Sequence, residues 1–270
     1  MDTTKDHHIL YTLQVTRAVQ SYQIWQEELT KPRNADPKRL LRYGYKIYSQ
    51  NDEDGIIQEI FKRIGIDTAT FIEFGVGVGL ECNTAKLLVD SWKGLWIEAN
   101  HNAVALINRD ILPNYSNLTV KEAKVTAENI NDLIGGHTTG QIDLLSIDID
   151  FNDYWIWKAI DVIKPRVVVI EYNSALRPPL SLAVRYDADA EWDMTNYFGA
   201  SLEAFVRLGH RKGYKIVGCN FTGSNAFFVR EDLTKDRFLE PATSEEHYEP
   251  PRYHFVIPSG VPKIGPFVRV

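Results

Sequence analysis

The densest chemistry in this chain lies in Ile142-Asp-Leu-Leu-Ser-Ile-Asp148-Ile-Asp150-Phe-Asn152-Asp153-Tyr-Trp155, an apolar run that releases three carboxylates and an amide at its end. A second apolar run, Val167-Val-Val-Ile-Glu171-Tyr-Asn173, ends in the same way. If the two runs are neighbouring strands, Asp148, Asp150, Glu171 and Asn173 meet at one edge of a sheet. Like charges repel, so a fold keeps such carboxylates together around a cation, a shared proton or a cationic ligand. A sulfonium, an ammonium or a divalent ion with oxygen ligands would each serve. The same groups could take the proton of an attacking hydroxyl. Asp150 and Asp153 have a plainer alternative, which is to cap the helix that follows.

Two further features place a ligand beside that edge. Phe71-Ile-Glu73-Phe-Gly75-Val-Gly77-Val-Gly79-Leu80 reads as a strand ending in an acid and a tight glycine turn. Glycines let a backbone bend sharply and approach a ligand with no side chain between. Glu73, at the strand's carboxyl end, faces the crevice where open α/β sheets bind their ligands. A dinucleotide fingerprint wants glycine at the first, third and sixth positions, and the sixth position here is Leu80. Gly94-Leu-Trp-Ile-Glu98 is the next strand, and an acid at its tip suits both hydroxyls of a ribose. That acid indicates a nucleoside but not which one, since nicotinamide enzymes use the same device.

A parallel sheet is needed to bring these residues together. From Thr70 the pattern alternates strand and helix, with strands over 70–74, 94–98, 118–122, 142–148, 166–171, 214–219 and 225–230. The last two lie close together around Asn220-Phe-Thr-Gly223 and read as a hairpin that sets one strand antiparallel. Ahead of the sheet, Ile9 to Leu29 has the three-to-four spacing of an amphipathic helix that ends before Pro32. Lys38 to Tyr48 continues as helix, Asn51-Asp-Glu-Asp54 caps another over Gly55 to Ile64, and Glu81 to Ser91 is helix-compatible. The chain divides into a helical extension (1–47) serving as lid or dimer contact, a ligand-binding domain (48–232) and a proline-punctuated arm (233–270).

Bulk properties describe an ordinary enzyme. With 270 residues and 44% hydrophobic content the chain can bury one large α/β core plus decorations. A net charge of −6 and the absence of a basic run argue against a nucleic-acid surface. Cys82 and Cys219 are the only cysteines, so no disulfide framework is indicated and a reducing cytoplasm is the expected home. The polar N-terminus lacks an apolar signal core, and no segment approaches the ~20 apolar residues of a membrane span.

Residues 48 to 230 resemble class I S-adenosylmethionine (SAM) methyltransferases related to the FkbM group. The resemblance is carried by Tyr48-Ser-Gln-Asn-Asp-Glu53, Glu73-Phe-Gly-Val-Gly77, Glu98, Asp148-Ile-Asp150, Glu171-Tyr-Asn173 and Asn225-Ala-Phe-Phe-Val229. It implies a Rossmann-like α/β fold: a seven-stranded, mostly parallel sheet with a C-terminal antiparallel hairpin strand and helices on both faces. The implied cofactor is SAM, and the implied reaction is O-methylation of a hydroxyl on a small molecule or glycan. By resemblance, Glu73 and Asp148 lie near the methionine amino end, and Gly75, Gly77 and Gly79 pass under the cofactor. Glu98 holds the ribose, and Gln50 touches the methionine moiety. The third strand's end, Ala123 to Ala127, supplies backbone groups to the adenine, with Thr126 and Glu128 as candidate readers of its amine. Asp148, Asp150 and Glu171 are the candidate catalytic cluster. The fifth strand lacks the paired Asp-Asp or Asp-Asn of metal-dependent relatives, so a magnesium or manganese ion is the less favoured alternative. Where relatives have glycine after the second acid, this chain has Phe151, which either narrows the pocket or packs under it.

The segment Ser174 to Gly199 should sit above the strand ends, where loops build acceptor pockets. Asn173, Arg177, Arg185 and Tyr186 are its candidate substrate contacts, with Trp192, Tyr197 and Phe198 available for stacking. The alternative is a packed surface loop whose aromatics cover the sheet edge. The arm from Glu240 keeps Tyr253, Phe255, Val256, Ile264 and Phe267, so it is expected to wrap its own domain or a partner subunit in a homo-oligomer. Two other functions compete with methyl transfer: a nicotinamide- or nucleotide-sugar-binding oxidoreductase, and a non-catalytic SAM-binding subunit. Leu80 counts against the first, and the intact acidic cluster against the second.

Overall fold

The apolar runs assemble into a seven-stranded sheet in a computed structural model that describes residues 3–255, with side chains from Tyr11 onward except Gln14. The strands are β1 (Thr70–Phe74), β2 (Lys93–Glu98), β3 (Leu118–Glu122), β4 (Gly140–Ile147), β5 (Ile163–Glu171), β6 (Tyr214–Cys219) and β7 (Asn225–Arg230). Their spatial order is β3-β2-β1-β4-β5-β7-β6, and every pair is parallel except β5–β7 and β6–β7. β7 thus runs against all the others. This is the Rossmann-like sheet of the class I methyltransferase fold, not the all-parallel dinucleotide sheet.

The helices are α1 (Thr3–Leu29), α2 (Glu53–Ile64), α3 (Ala85–Val89), α4 (His101–Asp110), α5 (Ile130–Gly135), α6 (Asp153–Ala159), α7 (Leu202–Lys212), α8 (Glu231–Thr234) and α9 (Ser244–His247). β5 shows why both faces must be covered: Val167 and Val169 enter one core while Val168 and Ile170 enter the other. On the first face Ile56, Ile60 and Phe61 of α2 pack with Leu88 of α3 and Ile107 of α4. On the second, Ile130 and Ile134 of α5 join Ile156 and Trp157 of α6 and Phe205 of α7.

The helical expectations before the sheet need correction. Only one 3₁₀ turn, Leu40–Tyr43, forms where Lys38 to Tyr48 was expected to be helical. The Asp54 carboxylate gathers the N–H groups of Ile47, Tyr48 and Ser49 at 2.7–3.0 Å, folding that segment back as a loop. The acids at the start of α2 do not cap it either. Asp52 accepts from Phe221 N, and Glu53 accepts from the amides of Asn220 (2.7 Å) and Asn225 (3.0 Å), so they bolt α2 to the β6–β7 hairpin. α3 is shorter than Glu81 to Ser91 because Glu73 captures the N–H groups of Asn83 and Thr84 before the helix starts.

Helix α1 leaves Tyr11, Val15, Val19 and Tyr22 exposed and packs mainly near its end, where Trp25 meets Phe221 at 5.9 Å. The arm folds back on its own chain: Tyr172 donates to Glu249 O and Tyr248 to Ser174 O, each at 2.7 Å. Arg33 pairs with Glu249 at 2.9 Å, tying the arm to the N-terminal extension. Val256, Pro258, Pro262, Ile264, Pro266 and Phe267 lie outside the described residues. Among the described residues no helix is long and apolar enough to cross a membrane.

Candidate active site

β1 and β4 are adjacent, with Phe74 opposite Ile147, so the loops leaving them collide unless one lacks a side chain. Gly75 has φ 73°, and a Cβ there would stand 1.6 Å from the Asp148 carbonyl oxygen. Glycine is therefore required twice over, by dihedral and by contact. Gly77 has φ 52° and faces open space, with nothing within 4 Å of a Cβ built there. Its N–H donates to Glu98 Oε2 at 2.7 Å, while Glu98 Oε1 accepts from Asn100 N at 2.8 Å. Glu98 thus holds the turn in place from the tip of β2. Gly79 has a packing role, since a Cβ would come within 2.8 Å of the Trp96 and Ile111 side chains. We expect Gly75→Ala to destabilise the fold by about 3 kcal/mol or more and Gly77→Ala by only about 1 kcal/mol, read by urea denaturation.

Glu73 is buried and fully engaged. Its Oε1 accepts from Asn83 N (2.9 Å) and Ser146 Oγ (3.1 Å), and its Oε2 from Thr84 N (3.0 Å) and Thr84 Oγ1. These bonds fix the far end of the glycine turn to β1 and β4, so the carboxylate positions the loop rather than standing free. Asn83 and Thr84 were not singled out by sequence reasoning, because nothing in their local pattern shows that a strand-end acid needs them.

Asp148, Asp150 and Glu171 do meet. One carboxylate oxygen from each lies within 4.8 Å of the others. Burial, then the charges of Asp153 and Asp150, push the Asp148 carboxyl well above the ordinary range. Burial and the charges of Asp148, Asp153 and Asp150 do the same to Glu171. Partial desolvation by its neighbours, then the charge of Glu98, raises Asp150, whose side chain is still open to solvent. Asp150 also sits in the left-handed region at φ 66°, which Asp tolerates better than most residues. The next residue, Phe151, turns its ring against Tyr197 at 5.9 Å, so it packs on the 174–199 segment.

Asp153 starts α6 without acting as its side-chain cap. It is completely buried, accepts from Ile149 N at 2.9 Å and leaves Oδ2 without a partner. Burial lifts its carboxyl to about 7, the Ile149 bond opposing the change. The unfolded chain loses that proton near pH 3.9, so the native state holds the extra proton between those limits and stability falls as pH rises from about 4 to about 7. Asp153→Asn, which keeps an acceptor for Ile149, should stabilise the ligand-free protein on the order of 3 kcal/mol at pH 8 and scarcely at pH 4. Urea titrations at the two pH values check this.

Three contiguous cavities, of about 500, 500 and 650 Å³, open along the strand ends, and Asp148 and Asp150 line all of them. The first is walled by Gln50, Glu73 and the glycine turn. The largest runs from Gly77 past Glu98 and Asn100 to Ala123-Lys124-Val125 and Asn152. The remaining one holds Lys46, Glu171, Trp192, Phe198, Tyr253 and Phe255. Tyr253 and Phe255 were expected only to pack the arm, because their contact with the sheet edge depends on the path of a long return segment.

Several candidates lie elsewhere. Asn173 is buried, its amide donating to the carbonyls of Asn196 (2.9 Å) and Phe198 (3.1 Å), so it holds the 174–199 segment closed. Tyr186 donates to Glu128 and accepts from Ala127 N. Thr126 is tied to Asn129, leaving Ala123 to Val125 as the chamber wall. Arg177 and Arg185 are exposed and line none of the three cavities.

No family model and no curated protein matches the chain. Among solved structures it is similar to a SAM-dependent methyltransferase from Aquifex aeolicus, at 12% identity over 72% of this chain and 94% of that one, with a TM-score of 0.39. A SAM-dependent methyltransferase from Clostridium acetobutylicum ATCC 824 is similar at 11% identity, 77% and 98% coverage, and TM-score 0.40. A precorrin-6y C5,15-methyltransferase from Geobacter metallireducens GS-15 gives 17%, 69%, 90% and 0.38. Strand order, not these distant likenesses, carries the fold assignment.

Proposed function

We propose that this protein is a SAM-dependent methyltransferase that methylates a hydroxyl of a small molecule or glycan. The observation that carries the reading is the crevice at the strand ends, where a nucleoside-sized chamber, a glycine-lined chamber and an aromatic chamber meet at Asp148 and Asp150. The residues fit the cofactor: Gly77 presents bare backbone to open space, and Glu98 stands at the chamber wall with acceptor capacity left for ribose hydroxyls. Bound SAM supplies an electrophilic methyl group on a sulfonium.

The chain's own residues then have three tasks. Glu98, Gln50 and the turn through Gly75, Gly77 and Gly79 hold the cofactor, with Glu73 fixing the turn. Asp148 bridges cofactor and acceptor chambers. Asp148, Asp150 and Glu171 align the acceptor hydroxyl for in-line attack and accept its proton. The metal-free version is favoured, since β5 ends in Glu171 followed two residues later by an Asn173 that is already engaged. The antiparallel β7 and Leu80 count against the oxidoreductase reading. The test is transfer of label from methyl-labelled SAM to a metabolite or glycan extract, with and without EDTA. Labelled product in both supports the proposal; EDTA-sensitive transfer restored by magnesium or manganese points to the metal version, and no transfer contradicts it.

A further inference from the structure

We infer that the methyl acceptor carries a cationic amine, docked between the carboxylates of Asp150 and Glu171 and the rings of Trp192, Phe198, Tyr253 and Phe255. This rests on the methyltransferase reading and narrows its substrate class. The cavity that holds these residues, about 500 Å³, is lined by acids, Asp148, Asp150 and Glu171 among them, and by the four rings. Glu171 lines it, yet its Oε2 is shut off from solvent and has no hydrogen-bond partner. Buried carboxylate oxygens without donors are costly, and the ligand that removes the cost is one that brings donors and positive charge.

An alkylammonium brings three N–H groups and no acceptor. Donors at tetrahedral angles reaching acceptors at about 2.8 Å spread those acceptors roughly 4.6 Å apart. One oxygen from each of Asp148, Asp150 and Glu171 lies within 4.8 Å of the others, so Asp150 and Glu171 can hold such a group while Asp148, which also lines the cofactor chamber, is left to take the hydroxyl proton. Aromatic side chains in the same lining can add cation–π attraction, for which an oxygen-ligated divalent ion has no use. Lys46, which also lines this cavity, does not neutralise the carboxylates: its ammonium is held by Glu81 at 3.1 Å and by Gln50 O at 2.9 Å.

The experiment titrates protein saturated with S-adenosylhomocysteine with benzylammonium chloride, with its neutral counterpart benzyl alcohol, and with magnesium chloride, by calorimetry. Benzylammonium should bind at least tenfold more tightly than benzyl alcohol, and the preference should vanish in Glu171→Gln. Asp150→Asn, altering an exposed side chain, should shrink it too and guards against a folding artefact. Equal affinity for amine and alcohol would overturn the inference, as would magnesium binding that excludes benzylammonium. If S-adenosylhomocysteine binds but the amine preference is missing, only this inference fails; if S-adenosylhomocysteine does not bind, the methyltransferase reading fails with it.

Discussion

Replacing Asp150 and Glu171 together by alanine is expected to lower methyl-transfer turnover about 10²- to 10⁴-fold while leaving SAM affinity within a few-fold. Both side chains line the aromatic chamber, and Glu171 lines neither of the other two. Their loss removes alignment and proton acceptance without touching the glycine turn. Asp148→Ala should behave differently and reduce both turnover and affinity: Asp148 lines all three cavities as Asp150 does, but its own backbone carbonyl is packed against Gly75 of the glycine turn. The pH profile carries an independent signature. Burial raises Asp148 and Glu171 well above the ordinary carboxylate range, so a base among them is deprotonated only at higher pH. Turnover should therefore rise with pH through a value above that range, and chelation should not move it. Steady-state kinetics on the true acceptor decide the matter, and a double variant with undiminished turnover removes the catalytic assignment.

The second large effect belongs to Glu98. Glu98→Ala should weaken SAM binding by about 2–4 kcal/mol, roughly 30- to 900-fold. Two losses combine there. The ribose loses a charged acceptor, and Gly77 N loses the partner that holds it at 2.7 Å. Glu98→Gln keeps an oxygen for Gly77 and should fall between wild type and alanine. Calorimetry with SAM separates the three proteins, and undiminished affinity in Glu98→Ala contradicts the assignment.

Most of the sheet was legible because its signal is local. Val167 to Ile170 can only be a strand covered on both faces, and the Asn220 to Gly223 turn forces β6 and β7 into a hairpin. The glycine turn was legible for the same reason: Gly75, Gly77 and Gly79 stand together in the sequence, and each takes the positive φ that glycine permits. Misreadings arose where polar side chains bond across long sequence distances. Glu53 looked like part of a cap, yet its partners Asn220 and Asn225 are more than 160 residues away. Asn173 looked like a substrate contact from its place after β5, but the carbonyls of Asn196 and Phe198 consume it. Tyr253 and Phe255 entered the site from the arm, and no periodicity in the arm encodes that destination.

The central claim is that the crevice binds a SAM-type nucleoside. Its most direct test is calorimetric titration of the purified protein with S-adenosylhomocysteine, and separately with NAD and NADP. We expect saturable binding of S-adenosylhomocysteine, lost or strongly weakened in Glu98→Ala, and no heat from either nicotinamide dinucleotide. Binding of NAD or NADP in its place would contradict the account and return the oxidoreductase reading to first position.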